Sequence, residues 1–213
     1  MAAKKKKTAR KTSAKKATQK KKVAPKAVKK APKKSPKKPA KKTAKKVSPK
    51  KTAGQIMKHQ KLEVGAVAPA FQVADDQGKL VSLATFGGKK VVLYFYPKDD
   101  TPGCTREACD FRDSMNRLQS SDTVVLGVSK DSVASHQKFK TKYGLNFPLL
   151  ADVEGALCEA YGVWQEKKNY GKTYMGIVRS TFVIDRKGKI ARVFSNVKVD
   201  GHVAAVLSVL EGI

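Results

Sequence analysis

The 213-residue sequence predicts one mixed α/β domain preceded by a disordered basic tail. Charge is divided unevenly, because Met1–Ala53 holds 24 of the 46 lysines and arginines and none of the 17 acidic residues. Every aromatic residue lies from Phe71 onward. Apolar runs typical of buried strands alternate with helical patterns in this second part. We therefore divide the chain into a tail (1–53), a linker (54–61) and a folded domain (62–213).

The tail is too polar to fold alone. Lys, Ala, Pro, Ser and Thr dominate it, so it has little apolar surface to bury against an ordering cost of about 1–2 kcal/mol per residue. Its five prolines exclude long helices and favour extended conformations. Ser-Pro-Lys-Lys occurs twice, at 35–38 and 48–51. These units resemble those of linker-histone tails, and phosphorylation of their serines would weaken binding to an anion.

Such a polycation binds polyanions by releasing counterions. If roughly 8–10 of its lysines meet phosphates, the log–log dependence of affinity on salt has a slope of about −7 to −9. Nothing in the tail can read bases specifically, although its Ser-Pro-Lys-Lys units suit a narrow A·T minor groove. We expect DNA as the partner; the alternative is a solvated arm that binds anything acidic, including RNA and membranes.

Several classes of protein are excluded. No run approaches the roughly 18 apolar residues of a membrane span, and the basic start is not followed by the apolar core of a secretory signal. Three cysteines, at positions 104, 109 and 158, do not suit a structural disulfide framework. We expect an intracellular protein, either cytoplasmic with nucleoid association or, in a eukaryote, nuclear.

The strands of the domain follow from turns and apolar runs. Short apolar stretches on either side of the glycine-containing turn Asp75–Gly78 predict a hairpin of 71–73 and 80–83. Three continuous apolar runs predict strands buried on both faces. They are Lys90–Tyr96, which Pro97 ends, Thr123–Ser129 and Ser180–Asp185. The turn Asp185–Gly188 leads to Lys189–Phe194, the predicted partner of the last of these strands.

Four other segments have helical patterns. They are Cys104–Leu118, Ser132–Tyr143, Glu154–Tyr161 and His202–Leu210. Asp131 or Ser132 can cap the second helix, and Asp152 the third. Strands that alternate with helices, with hairpins at both ends, predict a mixed α/β sandwich. This outline fits a thioredoxin-like fold but does not by itself define any chemistry.

Cys104 is the candidate nucleophile. The segment Tyr96–Cys109 (Tyr-Pro-Lys-Asp-Asp-Thr-Pro-Gly-Cys-Thr-Arg-Glu-Ala-Cys) joins a buried strand to a helix, so Cys104 falls in or just before the first helical turn. Free backbone N–H groups and the helix dipole stabilise a thiolate there. Open α/β sheets also place active sites where a strand leads into a helix. The alternative is a small buried thiol.

Cys109 follows Cys104 by five residues, and this spacing determines how far apart the two cysteines lie on an intact helix. Five residues give about 7.5 Å of rise and 140° of rotation, so the two Cα atoms are about 8–9 Å apart. A disulfide tolerates about 7 Å at most. The two cysteines can therefore bond only if the helix unwinds, which predicts a transient disulfide.

Other cysteine chemistry is less compatible with the sequence. A second cysteine pair is absent, and His59, His136 and His202 have no metal-ligand spacing near Cys104. The Cys-x-x-Cys spacing of a dithiol oxidoreductase is absent as well. We expect no metal.

At this point the sequence resembles a known family. Pro97-x-x-x-Thr101-x-x-Cys104 is similar to the active-site motif of peroxiredoxins. The segment Tyr94–Cys109 resembles the bacterioferritin comigratory protein/peroxiredoxin Q branch, with its resolving cysteine five residues on. Arg179–Asp185 (Arg-Ser-Thr-Phe-Val-Ile-Asp) resembles the strand that carries the catalytic arginine of that family. The resemblance covers about 62–213 and leaves the tail unexplained.

The resemblance implies a thioredoxin-like peroxiredoxin fold and a role for five residues. Cys104 would be the peroxidatic thiolate, Cys109 the resolving thiol, and Cys104–Cys109 a transient disulfide. Thr101 would hydrogen-bond thiolate and peroxide, Pro97 would shield the site from water, and Arg179 would stabilise charge. A thioredoxin-type reductant would recycle the disulfide, with no cofactor, and the branch favours a monomer.

Alternatives exist for individual residues. Thr101 could merely cap the helix, and Arg179 could form an ordinary surface ion pair. We expect Cys158 to be an inert core thiol. Four charged residues near the motif receive no role in this interpretation. They are Asp99, Asp100, Glu107 and Arg112.

Three functions can be weighed. The first is a thiol peroxidase for hydrogen peroxide and organic hydroperoxides, tethered to DNA by its tail. The second is a histone-like nucleic-acid-binding protein whose domain is only a scaffold, and the third is a thioredoxin-like redox partner without peroxidase activity. A mere scaffold would not need all five motif residues to be present together, which argues against the second function. The Cys-x4-Cys spacing argues against the third function, a redox partner without peroxidase activity.

Overall fold

The computed structural model describes residues 62–169 and 171–213. The predicted tail (1–53) and linker (54–61) lie outside the described residues. The strands are β1 (Gln72–Ala74), β2 (Leu80–Ser82), β3 (Lys90–Phe95), β4 (Thr123–Ser129), β5 (Leu149–Ala151), β6 (Trp164–Asn169), β7 (Lys172–Ile177), β8 (Ser180–Ile184) and β9 (Ile190–Ser195). The helices are α1 (Pro102–Asp113), α2 (Met115–Ser120), α3 (Val133–Tyr143), α4 (Ala156–Ala160) and α5 (His202–Glu211), with one 3-10 turn at Leu83–Phe86.

Five of the strands form one central sheet, in the order β5-β4-β3-β8-β9. β3, β4 and β5 are parallel, whereas β8 and β9 are antiparallel to their neighbours. All six residues of β3 are buried, as its continuous apolar run predicts. The mixed α/β, thioredoxin-like fold that the sequence predicts is confirmed.

Alternate residues of β3 point into two apolar layers, one on each face of the sheet. Val92 and Tyr94 pack with side chains of α1, α2, α3 and α5. Leu93 and Phe95 pack on the other face with side chains of α4 and β7 and with the segment around Phe71. The sheet is therefore covered on both faces, and in such sheets sites form beyond the carboxyl ends of the parallel strands.

The first predicted helix was wrong in extent. It begins at Pro102 rather than Cys104, and a break at Ser114 separates α1 from α2. The Ser114 N–H reaches the carbonyls of Asp110 and Phe111, which ends the regular helix. None of the helices in the described residues is long and apolar enough to cross a membrane.

The other helices lie close to their predicted positions. α3 has Ser132 as its N-cap, with the hydroxyl accepting from the Ser135 N–H, and ends at Gly144 in the left-handed region. α4 is shorter than predicted. The Asp152 carboxylate nevertheless accepts from two of its backbone N–H groups, those of Leu157 and Cys158.

Three strands were not predicted. β5 is only three residues long, too short to show a pattern. β6 and β7 form a separate two-stranded antiparallel sheet rather than a part of the central one. Their sequences are mostly polar and charged, so they lack the apolar signal of a buried strand.

Residues 65–68 pair with the turn between β8 and β9 and with the start of β9. Val67 bridges Lys189, and the Gly65 N–H donates to the Ile190 carbonyl over 2.8 Å. β8 runs antiparallel to β3 and ends beside Val91, so this turn lies at the end of the sheet where β3 begins. The carboxyl end of β3, where α1 follows, is at the opposite end of the sheet.

Candidate active site

Cys104 lies in the first turn of α1, as the sequence predicts. The helix begins with Pro102 at its first position, preceded by Thr101 in extended backbone conformation as the N-cap. Cys104 is a free thiol and is only 2% exposed. Its sulfur is thus placed where unpaired backbone N–H groups and the helix dipole favour a negative charge.

Strand pairing brings Arg179 to Cys104. Arg179 directly precedes β8, and Ser180 pairs with Phe95 at the carboxyl end of β3. Its Nη2 donates to the Cys104 sulfur over 3.2 Å, although the two residues are 75 positions apart. The Arg179 side chain is 15% exposed, so it is not an ordinary surface arginine. A guanidinium at this distance stabilises the thiolate form of cysteine.

Glu107 completes this cluster, and sequence reasoning missed it. The side chain is fully buried, and one carboxylate oxygen accepts a hydrogen bond from Arg179 Nη1, while the other has no partner in the described residues. Burial raises the pKa of Glu107 to about 7, against the opposing effect of Arg179. Its spacing of three residues from Cys104 places both on one helix face, which was an available signal.

Arg179 therefore bridges a thiol and a carboxyl group. Burial lowers its pKa, but the charges of Glu107 and Cys104 outweigh that effect, and the pKa of Arg179 is raised. The guanidinium stays charged, and its two nitrogens have fixed targets. Such a fork holds the cation in one orientation, which a lysine cannot do.

Thr101 and Pro97 lie in the loop that leads to Cys104. The Thr101 hydroxyl donates to the Lys98 carbonyl over 3.1 Å, which leaves its lone pairs available to an incoming donor. Its own side chain makes no capping hydrogen bond to α1. Pro97 is exposed and lines a cleft of about 280 Å³ together with Trp164 and Met175 of the β6–β7 hairpin.

The other two cysteines differ in their surroundings. Cys109 is half-buried and lies on the same uninterrupted helix as Cys104, so the expected separation of the two applies. Cys158 is fully buried in the opposite layer. Burial and the neighbouring Asp152 carboxylate raise the pKa of the Cys158 thiol far above its ordinary value. Cys158 therefore stays protonated and unreactive.

His202 is buried behind the cluster. Its Nε2 lies 2.8 Å from the Thr181 hydroxyl, and its ring packs edge-on against Phe111 and Phe194. Burial and the charge of Arg179 lower the pKa of His202 to about 4. The imidazole is therefore neutral near pH 7 and packs as part of the core.

Comparison with known proteins supports what the geometry suggests. Residues 64–193 match the AhpC/TSA family. The chain is 56% identical over 146 residues to a putative peroxiredoxin bcp of Coxiella burnetii, covering 68% of this chain and 97% of the relative. It is 52% identical over 150 residues to the peroxiredoxin Bcp of Bacillus subtilis, covering 70% and 96%.

Solved structures agree with the sequence matches. The bacterioferritin comigratory protein of Xanthomonas campestris, whose trapped intermediate and ligand complexes address its alkyl peroxide reduction activity, superposes with a TM-score of 0.66. It shares 41% identity, and the match covers 71% of this chain and 96% of that one. A reduced 2-Cys peroxiredoxin of Plasmodium vivax superposes with a TM-score of 0.58 at 25% identity, covering 70% and 94%.

With these matches, the contact between a buried thiol at a helix start and an arginine at the end of a thioredoxin-like sheet assigns the protein to the thiol-based peroxidases. This is the peroxiredoxin class of oxidoreductase. The chain belongs to the AhpC/TSA family and, within it, to the bacterioferritin comigratory protein/peroxiredoxin Q branch.

Proposed function

We propose that this peroxidase reduces hydrogen peroxide and organic hydroperoxides through an intramolecular disulfide between Cys104 and Cys109, which a thioredoxin-type protein reduces. The observation that best supports this proposal is the contact of Arg179 Nη2 with the Cys104 sulfur, at the start of the helix that also contains Cys109. Both thiols belong to one chain and one helix, so a monomer suffices for the cycle.

In the first step the Cys104 thiolate attacks the terminal oxygen of the peroxide. An S–O bond forms and the O–O bond breaks, so that cysteine is oxidised to sulfenic acid. The leaving alkoxide or hydroxide takes up one proton from solvent, equal to the one that the Cys104 thiol released on ionising, and departs as alcohol or water. Arg179 stabilises the thiolate and the charge that develops along the O–O bond. The free lone pairs of the Thr101 hydroxyl accept a hydrogen bond from the peroxide, and Pro97 limits access of water at the rim.

Glu107 acts through Arg179 rather than on the peroxide. Its carboxyl group holds one arm of the guanidinium and thereby directs the other arm at the sulfur. It is a positioning residue for Arg179.

In the second step Cys109 condenses with the sulfenic acid. An S–S bond forms and one water molecule leaves. The intact α1 separates the two cysteines too far for this bond, so the first turns of α1 must unwind. A dithiol reductant then attacks the disulfide by thiol exchange and restores both thiols.

The tail gives this peroxidase a second property. The charge of residues 1–53 makes them a ligand for polyanions, and we propose that they tether the enzyme to DNA, in the nucleoid or nucleus of the cell. The tether concentrates peroxide removal beside a polymer that peroxides damage. It is separate from the chemistry of the domain.

The proposal is tested by turnover of hydrogen peroxide and an alkyl hydroperoxide, coupled to thioredoxin and its reductase. Cys104→Ser should abolish turnover, and Cys109→Ser should abolish recycling while leaving a single oxidation of Cys104. Cys158→Ser is the matched control and should retain the wild-type rate. Wild-type activity that survives Cys104→Ser would contradict the assignment, and activity that survives Cys109→Ser would contradict the disulfide.

A further inference from the structure

Two consecutive aspartates fix the loop that precedes Cys104 to helix α3. Asp99 is buried, and its carboxylate lies 2.9 Å from His136 Nδ1 and accepts from the Ser135 hydroxyl over 2.7 Å. The Tyr96 hydroxyl also donates to it over 2.8 Å. The backbone N–H of Asp99 donates to the Asp131 carboxylate, just before α3. Both carboxylate oxygens and the backbone N–H of Asp99 thus have partners on α3 or next to α3 or β3.

His136 contacts Asp99 from inside the protein. The ring is fully buried, and its Nε2 lies 3.2 Å from the Leu150 carbonyl. Its Nδ1 faces the Asp99 carboxylate. Burial works to raise the pKa of Asp99, but the hydrogen bond and charge of His136 outweigh it and hold the pKa below its usual value. The imidazole thus lies between a backbone carbonyl of β5 and the carboxylate of the loop, which fixes the position of both the ring and Asp99.

The next residue is held at the far end of the same helix. Asp100 has a φ of 54°, in the left-handed region that aspartate adopts more readily than most residues other than glycine. Its carboxylate accepts from Lys142 Nζ over 2.7 Å and from the Tyr143 hydroxyl over 2.5 Å. These hydrogen bonds hold the turn at Asp100 against the end of α3. The loop between Pro97 and Thr101 is thus fastened to α3 at two places seven residues apart.

We propose that His136 and Lys142 are positioning residues of the peroxidase: through Asp99 and Asp100 they hold the loop 97–101 in place, so that Thr101 and the first turn of α1 present Cys104 to Arg179. This inference rests on the proposed role of Cys104 as the nucleophile. The same contacts also set where the unwinding of α1 begins, because the loop 97–101 stays attached to α3 while the first turns of α1 open.

The test compares three substitutions on α3 by stopped-flow kinetics. His136→Gln removes the imidazole that contacts Asp99, and Lys142→Gln removes the ammonium group that contacts Asp100. Lys140→Gln is the matched control, because Lys140 lies on the same helix but pairs with Asp76, near the β1–β2 hairpin. For each variant the rate constant for peroxide oxidation of Cys104, the urea stability and the hydrogen exchange of the loop amides are measured.

His136→Gln should slow the oxidation of Cys104 by about 10- to 100-fold, since a displacement of about 1 Å can cost that much. Amide exchange at 98–101 should accelerate in parallel. Lys142 is exposed, so Lys142→Gln should not impair folding. It should slow the oxidation of Cys104 and accelerate the loop amide exchange, each several-fold. Lys140→Gln should lower stability and leave the oxidation rate and the loop exchange unchanged.

Several outcomes would overturn the inference. One is a folded His136→Gln protein with the wild-type oxidation rate. Another is a Lys140→Gln protein slowed as much as His136→Gln, which would indicate loss of stability alone. If His136→Gln does not fold, the Lys142→Gln protein is the decisive variant. An unchanged rate of Cys104 oxidation together with unchanged amide exchange of the loop in Lys142→Gln refutes the inference. If wild type does not react with peroxide at all, the proposed function fails, and the exchange data and the iodoacetamide reactivity of Cys104 still decide on positioning.

Discussion

At the residue scale, Arg179 is the side chain on which the site depends. Its two terminal nitrogens contact two different residues, Cys104 and Glu107, and it reaches them only because β8 pairs with β3. A point charge of the same sign on a flexible stem could not maintain both contacts.

We therefore expect Arg179→Lys to lower the rate constant for peroxide oxidation by about 10²- to 10³-fold, as for the loss of one donor to a developing charge. Single-turnover oxidation in the Cys109→Ser background measures it. Arg186→Lys is the control, because that exposed arginine binds Asp122 away from the thiol. A rate within a factor of two of wild type in Arg179→Lys would show that charge alone is sufficient.

Two buried groups beside Arg179 give stability opposite dependences on pH. Glu107 has a pKa raised to about 7, so the folded protein holds its proton where the unfolded chain has lost it, and stability falls as pH rises from about 4.5 to 7. His202 has a pKa lowered to about 4, so only the unfolded chain binds its proton, and stability falls as pH drops from about 6.5 to 4. The two effects offset each other in the wild type.

Substitution separates them. In Glu107→Gln the free energy of unfolding should rise with pH between 4.5 and 7 relative to wild type, by up to about 3 kcal/mol. In His202→Gln the acid-induced loss between pH 6.5 and 4 should shrink by a similar amount. Urea unfolding at a series of pH values measures both. Parallel pH profiles for the wild type and both variants would contradict the assigned ionisation states.

How much of the site could be predicted differs from residue to residue. The place of Cys104 in a first helical turn follows from a buried strand, a proline-glycine pair and a helical pattern, all local signals. The contact of Arg179 with Cys104 joins residues 75 positions apart and depends on strand pairing. Only the family resemblance suggested it in advance. Glu107 was missed although its spacing from Cys104 places it on the same helix face.

At the element scale, the proposed cycle gives α1 two conflicting tasks. Its first turn must be ordered to hold the Cys104 thiolate, and in the proposed disulfide step the same turn must unwind before Cys109 can reach Cys104. Its far end is anchored, because Arg112 donates to the Tyr143 carbonyl and the helix stops at Ser114. Unwinding is therefore confined to the turns between the loop and Arg112.

A more stable α1 should slow formation of the disulfide and leave the oxidation of Cys104 unchanged. Thr105→Ala raises helix propensity by roughly 0.5 kcal/mol, which corresponds to a twofold slower formation of the disulfide, with unchanged oxidation of Cys104. Rapid-quench mass spectrometry resolves the two steps. Thr141→Ala, the same substitution in α3, should alter neither. Equal slowing of both steps by Thr105→Ala would show that unwinding is not part of the disulfide step.

Elements with strong periodic signals were predictable and the others were not. β3, β4 and β8 match their predicted bounds within one residue, because each is a continuous apolar run between polar turns. β6 and β7 carry mostly polar side chains and satisfy their hydrogen bonds with each other, so no apolar pattern marks them. The break at Ser114 could not be predicted, because no proline or glycine lies there.

At the scale of the whole molecule, net charge is divided unequally between the first 53 residues and the rest of the chain. Residues 54–213 hold 22 basic and 17 acidic residues, a net charge of +5, whereas the first 53 residues contribute the remaining +24. The domain alone has too little net charge for strong binding to a polyanion at physiological salt.

Deletion of residues 1–53 should therefore abolish binding to duplex DNA and leave peroxide turnover within a factor of two. Fluorescence anisotropy at several salt concentrations measures the binding, and the full-length protein should give a log–log slope of about −7 to −9. Analytical ultracentrifugation of both proteins should give monomers. Loss of turnover on truncation would show that tail and domain are not independent modules.

The place where the chain joins the domain has a practical consequence. Val67 meets Lys189 at the end of the sheet where β3 begins, but Leu62 shares a cleft with Ser180 and Ser195 at the opposite end of β8. Because Ser180 follows Arg179 and pairs with Phe95, residue 62 lies toward the same strand ends as the thiol. A fluorescent protein or a surface-immobilisation tag that replaces the basic extension should therefore be joined through a spacer, so that the tag does not cover the active site when the peroxidase is directed to a new location.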